Sequence, residues 1–248
     1  MTLEQFFAEN REAAIAFSGG VDSAYLLYAA KRYAARVKAY YVSTVFQPEF
    51  ELEDARRLAA DVGADMQVLH VDVLMSGAVV ENPPDRCYHC KNTLFRQILR
   101  AAESDGFPVL LDGTNASDDA GDRPGMRALR ELSVRSPLRE CGLTKAEIRR
   151  LSKEAGLFTW DKPAYACLST RIRTGEEITL QKLKQTEKAE GFLFGLGFRN
   201  FRVRMVGNTA KLELREADLP LLLENREKIL IELRKDYDSV LLNLEVRK

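Results

Sequence analysis

Ser18-Gly19-Gly20-Val21-Asp22-Ser23 follows directly on the apolar run at residues 13–17 and opens an amphipathic stretch, an order that predicts a buried parallel strand feeding a helix. Two glycines let the backbone turn tightly enough to aim successive N–H groups inward. Ser18 and Ser23 add hydroxyls, and the positive end of the new helix faces the same space. The expected guest is a polyphosphate. The ordinary nucleotide loop ends in Gly-Lys followed by Ser or Thr, and no lysine stands here, which disfavours transfer of a terminal phosphoryl group. The plainer alternative is a strand-to-helix turn that happens to use serine and glycine.

The second chemical group is thiol. Asp85-Arg86-Cys87-Tyr88-His89-Cys90-Lys91 carries two cysteines at a separation suited to one metal centre, just after the loop-forming Asn82-Pro83-Pro84. A third lies in Tyr165-Ala166-Cys167-Leu168-Ser169-Thr170-Arg171. Three thiolates suit a cubane cluster with one open iron, four ligands including His89 would suit a structural zinc, and two bare thiols would cycle to a disulfide. The alternative is that Cys87 and Cys90 are incidental, although their charged neighbours do not resemble core. Cys141 has no thiol nearby in sequence and precedes a capping box at Thr144 and Glu147, so it reads as structural.

These residues need a scaffold. Apolar runs at 37–43, 66–71 and 108–111 alternate with helical patterns near 49–62 and 91–102, which is βαβ rhythm and predicts a doubly wound parallel sheet. Ligands in such sheets bind at the carboxyl ends of strands, so the residue 18–23 loop, Ser43-Thr44 and Asp112-Gly113-Thr114-Asn115 should face one crevice. Beyond Gly175 the pattern becomes αββαβ, with Gly207-Asn208 as a hairpin turn. The expected organisation is an α/β domain over 1–174 and a smaller α+β domain over 175–248.

Lysines and arginines number 37 against 37 acids among 248 residues, so no global charge attracts nucleic acid or a membrane surface. The acidic, polar N-terminus and the lack of a membrane-length apolar run predict a cytoplasmic protein. Locally, residues 171–211 hold nine Lys or Arg against four Asp or Glu, a bias toward phosphate. Arg202 and Arg204 share one face of a predicted strand while Val203 and Met205 take the other.

SGGVDS resembles the signature of the PP-loop ATP pyrophosphatases, which hold the outer phosphates while a substrate oxygen attacks the inner one. Together with RCYHCK, LLDGTN and ACLSTRI, it makes the chain similar along essentially its whole length to the LarE family, ATP-dependent sulfur transferases of nickel-pincer cofactor synthesis. The resemblance implies ATP and Mg2+ at Ser18, Gly19, Gly20, Val21, Asp22, Ser23, Ser43, Gly113 and Thr114, with Asp118 a weaker candidate for magnesium. It implies a pyridinium-3,5-biscarboxylic acid mononucleotide as substrate, adenylylated with release of pyrophosphate and converted to a thiocarboxylate. Arg202 and Arg204 would grip its phosphate, with Glu190 and Glu213 as polar or metal-binding neighbours and Arg171 beside a reactive Cys167. It also implies the branch in which Cys87, Cys90 and Cys167 hold a [4Fe-4S] cluster that passes on sulfide from an external donor, and a homo-oligomer, hexameric in form. The rival readings are a transfer-RNA thiolase, an ammonia-using adenylating synthetase and a non-catalytic nucleotide sensor.

Overall fold

The computed structural model describes residues 1–118 and 124–247. It divides into two compact units, one of Met1–Val73 with Asp85–Ala164, the other of Leu74–Pro84 with Tyr165–Lys248. The sequence reading places one boundary near residue 175; the observed division falls ten residues earlier and assigns a mid-chain segment to the second unit.

In chain order the elements are α1 (Leu3–Glu9), β1 (Glu12–Ala16), α2 (Val21–Tyr33), β2 (Arg36–Ser43), α3 (Glu49–Asp61), β3 (Asp65–His70), α4 (Gly77–Val80), α5 (Arg86–Ser104), β4 (Leu110–Leu111), α6 (Pro124–Glu131), α7 (Pro137–Glu140) and α8 (Lys145–Glu154). There follow α9 (Leu180–Gly195), β5 (Arg202–Val206), β6 (Thr209–Glu213), α10 (Leu219–Glu224), α11 (Arg226–Leu233) and β7 (Ser239–Leu242).

The first unit is a doubly wound parallel sheet of strand order β3-β2-β1-β4. Alternation along β1 explains its two-faced burial. Ala13 and Ile15 enter a core with Leu26, Leu27, Leu58 and Ile148 on one side, while Ala14 joins Tyr40, Ile98 and Leu110 on the other. The chain steps from β1 outward to β3 and then returns to pair β4 on the opposite side of β1, so the loops after β1 and β4 flank the point where strand order reverses. β4 is only two residues long, and Arg135 pairs beside it as a parallel bridge to Leu111, its N–H donating to the Leu110 carbonyl at 3.0 Å while its own carbonyl accepts from Asp112 N at 2.9 Å.

The second unit is a mixed α+β layer. β5 and β6 form the expected antiparallel hairpin, and β7 joins β6 in parallel. Val203, Met205, Ala210 and Leu212 are buried, whereas Arg202 and Arg204 on the other face are half-buried. The second helix of the expected αββαβ order is broken at Asn225 into α10 and α11. No helix among the described residues is long and apolar enough to cross a membrane.

Candidate functional site

The loop between β1 and α2 is closed by its own hydroxyls. Ser18 N donates to Ser23 Oγ at 3.3 Å, Gly20 N to Ser18 Oγ at 3.4 Å, and Ser23 Oγ to the Gly20 carbonyl at 3.1 Å. Gly19 takes φ +72°, and a Cβ there would stand 3.1 Å from Ala55 Cβ, so α3 lies directly against this turn. Gly20 occupies the N-cap of α2 without a side chain to offer, which makes an anion the natural complement of the first-turn N–H groups.

The loop after β4 meets the same turn. A Cβ on Gly113 would lie 2.8 Å from Ser23 N, 3.1 Å from Ser23 Cα and 3.3 Å from the Asp22 carbonyl carbon. Gly113 is therefore packed onto the start of α2, as only a residue without a side chain permits. Its neighbours are fixed by a buried carboxylate: Asp112 accepts from Thr114 Oγ1 at 2.5 Å and from Ser136 Oγ at 2.6 Å. Further on, Asp118 accepts from Asn115 N at 2.9 Å, Ala116 N donates to the Leu143 carbonyl at 2.8 Å, and Lys145 N to Ser117 Oγ at 3.0 Å. Ser43, at the carboxyl end of β2, is half-buried, and its carbonyl accepts from Val71 N at 3.0 Å.

Asp22 is the charged centre of this region. One oxygen accepts from Lys145 Nζ at 2.6 Å; the other is buried and, among the described residues, has no hydrogen-bond partner. Burial pushes the Asp22 carboxyl above its ordinary range, Lys145 pulls against that, and the nearby Asp118 charge adds to the rise. Magnesium fits this donor set, because that ion is commonly held by one or two carboxylates plus substrate phosphates rather than by an all-protein cage. Sequence reasoning missed Lys145 and also Arg149, whose charge Asp22 feels and whose guanidinium donates to the carbonyls of Trp160 at 2.6 Å and Lys162 at 2.9 Å. The only signal for Lys145 was its place just after the Thr144 cap, a signal about helix ends rather than ligands.

The thiols do not form the expected centre. Among the described residues no group of three or more His, Cys, Asp or Glu is arranged to hold a metal ion. Cys87 is exposed on the first turn of α5 with Arg86 Nη2 3.9 Å from its sulfur, and Cys90 follows one turn later. His89, which would have completed a zinc site, pairs instead with Asp85 at 3.3 Å. Cys167 belongs to the other unit, its sulfur 2.9 Å from Ser169 Oγ. A cubane requires convergent thiolates, and no such grouping is present among the described residues. The [4Fe-4S] cofactor, the cluster-type branch and the delivery of cluster-bound sulfide in nickel-pincer synthesis are corrected accordingly.

In the second unit Arg171 is buried and bound from three directions: by Glu190 at 2.7 and 2.9 Å, by the Ala166 carbonyl at 2.9 Å and by Thr170 Oγ1 at 2.9 Å. Glu190 also accepts from Val203 N at 2.9 Å and from the Tyr165 hydroxyl. Arg204 pairs with Glu213 at 2.7 Å and donates to the Thr170 carbonyl at 2.6 Å. Arg202 differs from both. Its side chain makes no hydrogen bond or ion pair among the described residues, and burial followed by the positive charges of Arg247, Arg171 and Arg204 holds its pKa down against a smaller opposing effect of Glu213. A cation so placed calls for an anion.

A family model described as asparagine synthase matches residues 5–118. An uncharacterized protein of Synechocystis is 40% identical over 86% of this chain and 80% of its own length. The pyridinium-3,5-bisthiocarboxylic acid mononucleotide synthase of Lactiplantibacillus plantarum is 33% identical over 87% of this chain and 79% of its own length. A tRNA-specific 2-thiouridylase of a Thermotoga species is 26% identical over 58% of this chain and 52% of its own length.

Proposed function

Because the chain belongs to the family of the Lactiplantibacillus plantarum synthase, the LarE family of PP-loop ATP-using enzymes, we propose that it is an adenylylating, pyrophosphate-releasing sulfurtransferase that works without an iron–sulfur cluster. The observation that carries this is the packing of Gly113 against Asp22 and Ser23, which joins two strand-end loops around one anion-seeking helix start. In this reading residues 18–23 hold the outer phosphates of ATP, and Ser43, Gly113 and Thr114 face its ribose and base. Asp22 and Asp118 would hold magnesium, which neutralises phosphate charge and polarises the bond to be broken. The absence of a loop lysine agrees with cleavage between the α and β phosphates rather than terminal transfer.

Adenylylation supplies what sulfur transfer needs: a carboxylate or ring carbonyl oxygen becomes part of an AMP leaving group, and a sulfur nucleophile then displaces it. The second unit carries anion-seeking residues of its own. Arg202 and Arg204, with Glu213 orienting the latter, grip an acceptor phosphate, and Cys167, whose charge Arg171 feels, is the nucleophilic thiol of that unit. Glu190 holds Arg171 in place.

The relatives suggest two acceptors. One is a pyridinium dicarboxylate mononucleotide, the precursor class of the product in the Lactiplantibacillus enzyme's name; the other is transfer RNA, favoured by the 2-thiouridylases. Incubation of the protein with ATP, magnesium, a sulfide donor and each acceptor separates them. Acceptor-dependent pyrophosphate and AMP, with mass-detected replacement of one oxygen by sulfur, is expected, and Asp22→Ala should abolish it. Production of ADP and phosphate instead would overturn the assignment.

A further inference from the structure

A phosphate loop without its lysine leaves the charge of the outer phosphates to magnesium, backbone N–H groups and two hydroxyls, with no side-chain cation from the loop itself. The first unit carries a second lysine at this edge of the sheet. Lys162 lies just past the short helical turn Phe158–Asp161, with its ammonium 2.6 Å from Asp54 and 3.9 Å from Glu51, both on α3. The side chains of Lys162 and Glu51 are each only 15% exposed.

Two independent routes place this trio beside the loop. Asp54 precedes Ala55, the residue against which Gly19 is packed, so the carboxylate holding Lys162 is one residue from the phosphate turn. From the other side, the Lys162 carbonyl accepts from Arg149, the same guanidinium whose charge Asp22 feels. Next to the trio is an unsatisfied group. The hydroxyl of Tyr41, a residue 2% exposed near the carboxyl end of β2, has no hydrogen-bond partner among the described residues. Burial pushes up both this phenol and the Glu51 carboxyl, and the Glu51 charge adds to the effect on Tyr41. Two carboxylates around one ammonium, one of them poorly solvated, make a local surplus of negative charge that a mere structural ion pair does not need.

We propose that Lys162 is the cation the loop lacks: Asp54 and Glu51 hold its ammonium in reserve, and on ATP binding it turns from Asp54 to the outer phosphates. The lysine thus reaches the triphosphate from a position 142 residues after Gly20. Release of the ammonium must overcome its attraction to Asp54, so the acidic partner sets the affinity for ATP as well as the lysine does.

This inference rests on the ATP-binding reading above, and the test separates the two. An ATP analogue with a methylene bridge between the α and β phosphates is titrated calorimetrically onto the full chain in magnesium, with thermal unfolding measured alongside. Lys162→Met should weaken binding by about ten- to hundredfold, the range for losing one charge-assisted hydrogen bond. Lys162→Arg should stay within about threefold, since the charge is kept. Asp54→Asn should bind the analogue severalfold more tightly than wild type, because the lysine is no longer restrained. A structural ion pair predicts the opposite sign: Asp54→Asn weakening binding in step with a fallen melting temperature would overturn the proposal, as would full affinity in Lys162→Met. If wild-type protein fails to bind the analogue, the ATP reading itself falls and takes this one with it.

Discussion

Gly113→Ala adds one methyl group at the place where the two loops touch. The new Cβ would lie 2.8 Å from Ser23 N, about 0.6 Å inside the 3.4 Å at which ordinary van der Waals contact begins. What it meets is backbone at the start of α2, so no side chain can swing aside. Either the loop after β4 or the first turn of α2 must move by roughly half an ångström, at an overpacking cost of about 1–3 kcal/mol. For a chain of this size that lowers the melting temperature by about 2–10 °C. In the proposed reading the displacement falls on the N–H donors that would meet phosphate, and loss of one good contact to a charged oxygen costs about 1.5–3 kcal/mol, or roughly ten- to a hundredfold in ATP affinity. The assay is nucleotide titration followed by calorimetry, with Gly63→Ala as control. Gly63 has φ +63° with open space around its Cβ position, so that variant loses about 1–2 kcal/mol of stability to backbone strain and leaves ATP binding unchanged. Gly113→Ala binding ATP normally, at an unchanged melting temperature, would refute the convergence of the two loops.

Other consequences follow from charges. Glu190→Ala strands the buried Arg171 guanidinium and should cost about 3–5 kcal/mol in urea denaturation; a loss below about 1 kcal/mol would contradict the buried pairing. Arg202→Ala should leave the protein at least as stable as before, since it removes a cation crowded by Arg171, Arg204 and Arg247, yet should abolish thermal protection by inorganic phosphate. Persistent protection would reject the anion site. Hydrogen bonds from Lys38 and Tyr40 hold the Asp105 carboxyl below its ordinary pKa. Its stabilisation is therefore complete above about pH 4 and is lost as pH falls through the lowered folded value, so Asp105→Asn should flatten that part of the acid-unfolding curve. An acid limb unchanged in this variant would mean that Asp105 is not linked to folding.

Ordering within the chain makes the first unit legible from the sequence. Apolar runs of strand length, each followed by a helical period, produce a parallel sheet because consecutive parallel strands need a crossover and a helix is the usual one. The tight turn at 18–23 was legible for the same local reason: its glycines and serines are adjacent in sequence and close the loop on themselves. Alternation likewise put Arg202 and Arg204 on one face of β5. Family membership, too, could be read from short motifs.

What the linear order could not convey is which distant groups share space. Lys145 and Lys162 reach the loop neighbourhood only because α8 and the turn after it pack beside α2 and α3, through contacts more than a hundred residues apart in sequence. The same limit misled the reading of the cysteines. Cys87 and Cys90 are three positions apart on one helix, and their spacing said nothing about Cys167, whose place depends on how the second unit folds. Local propensity acts over a few residues, whereas a metal centre or a buried ion pair is built by tertiary packing. Sequence alone therefore determined the sheet and the tight turn at residues 18–23, and the three-dimensional fold decided which charges stand beside that turn and what each thiol meets within its own unit.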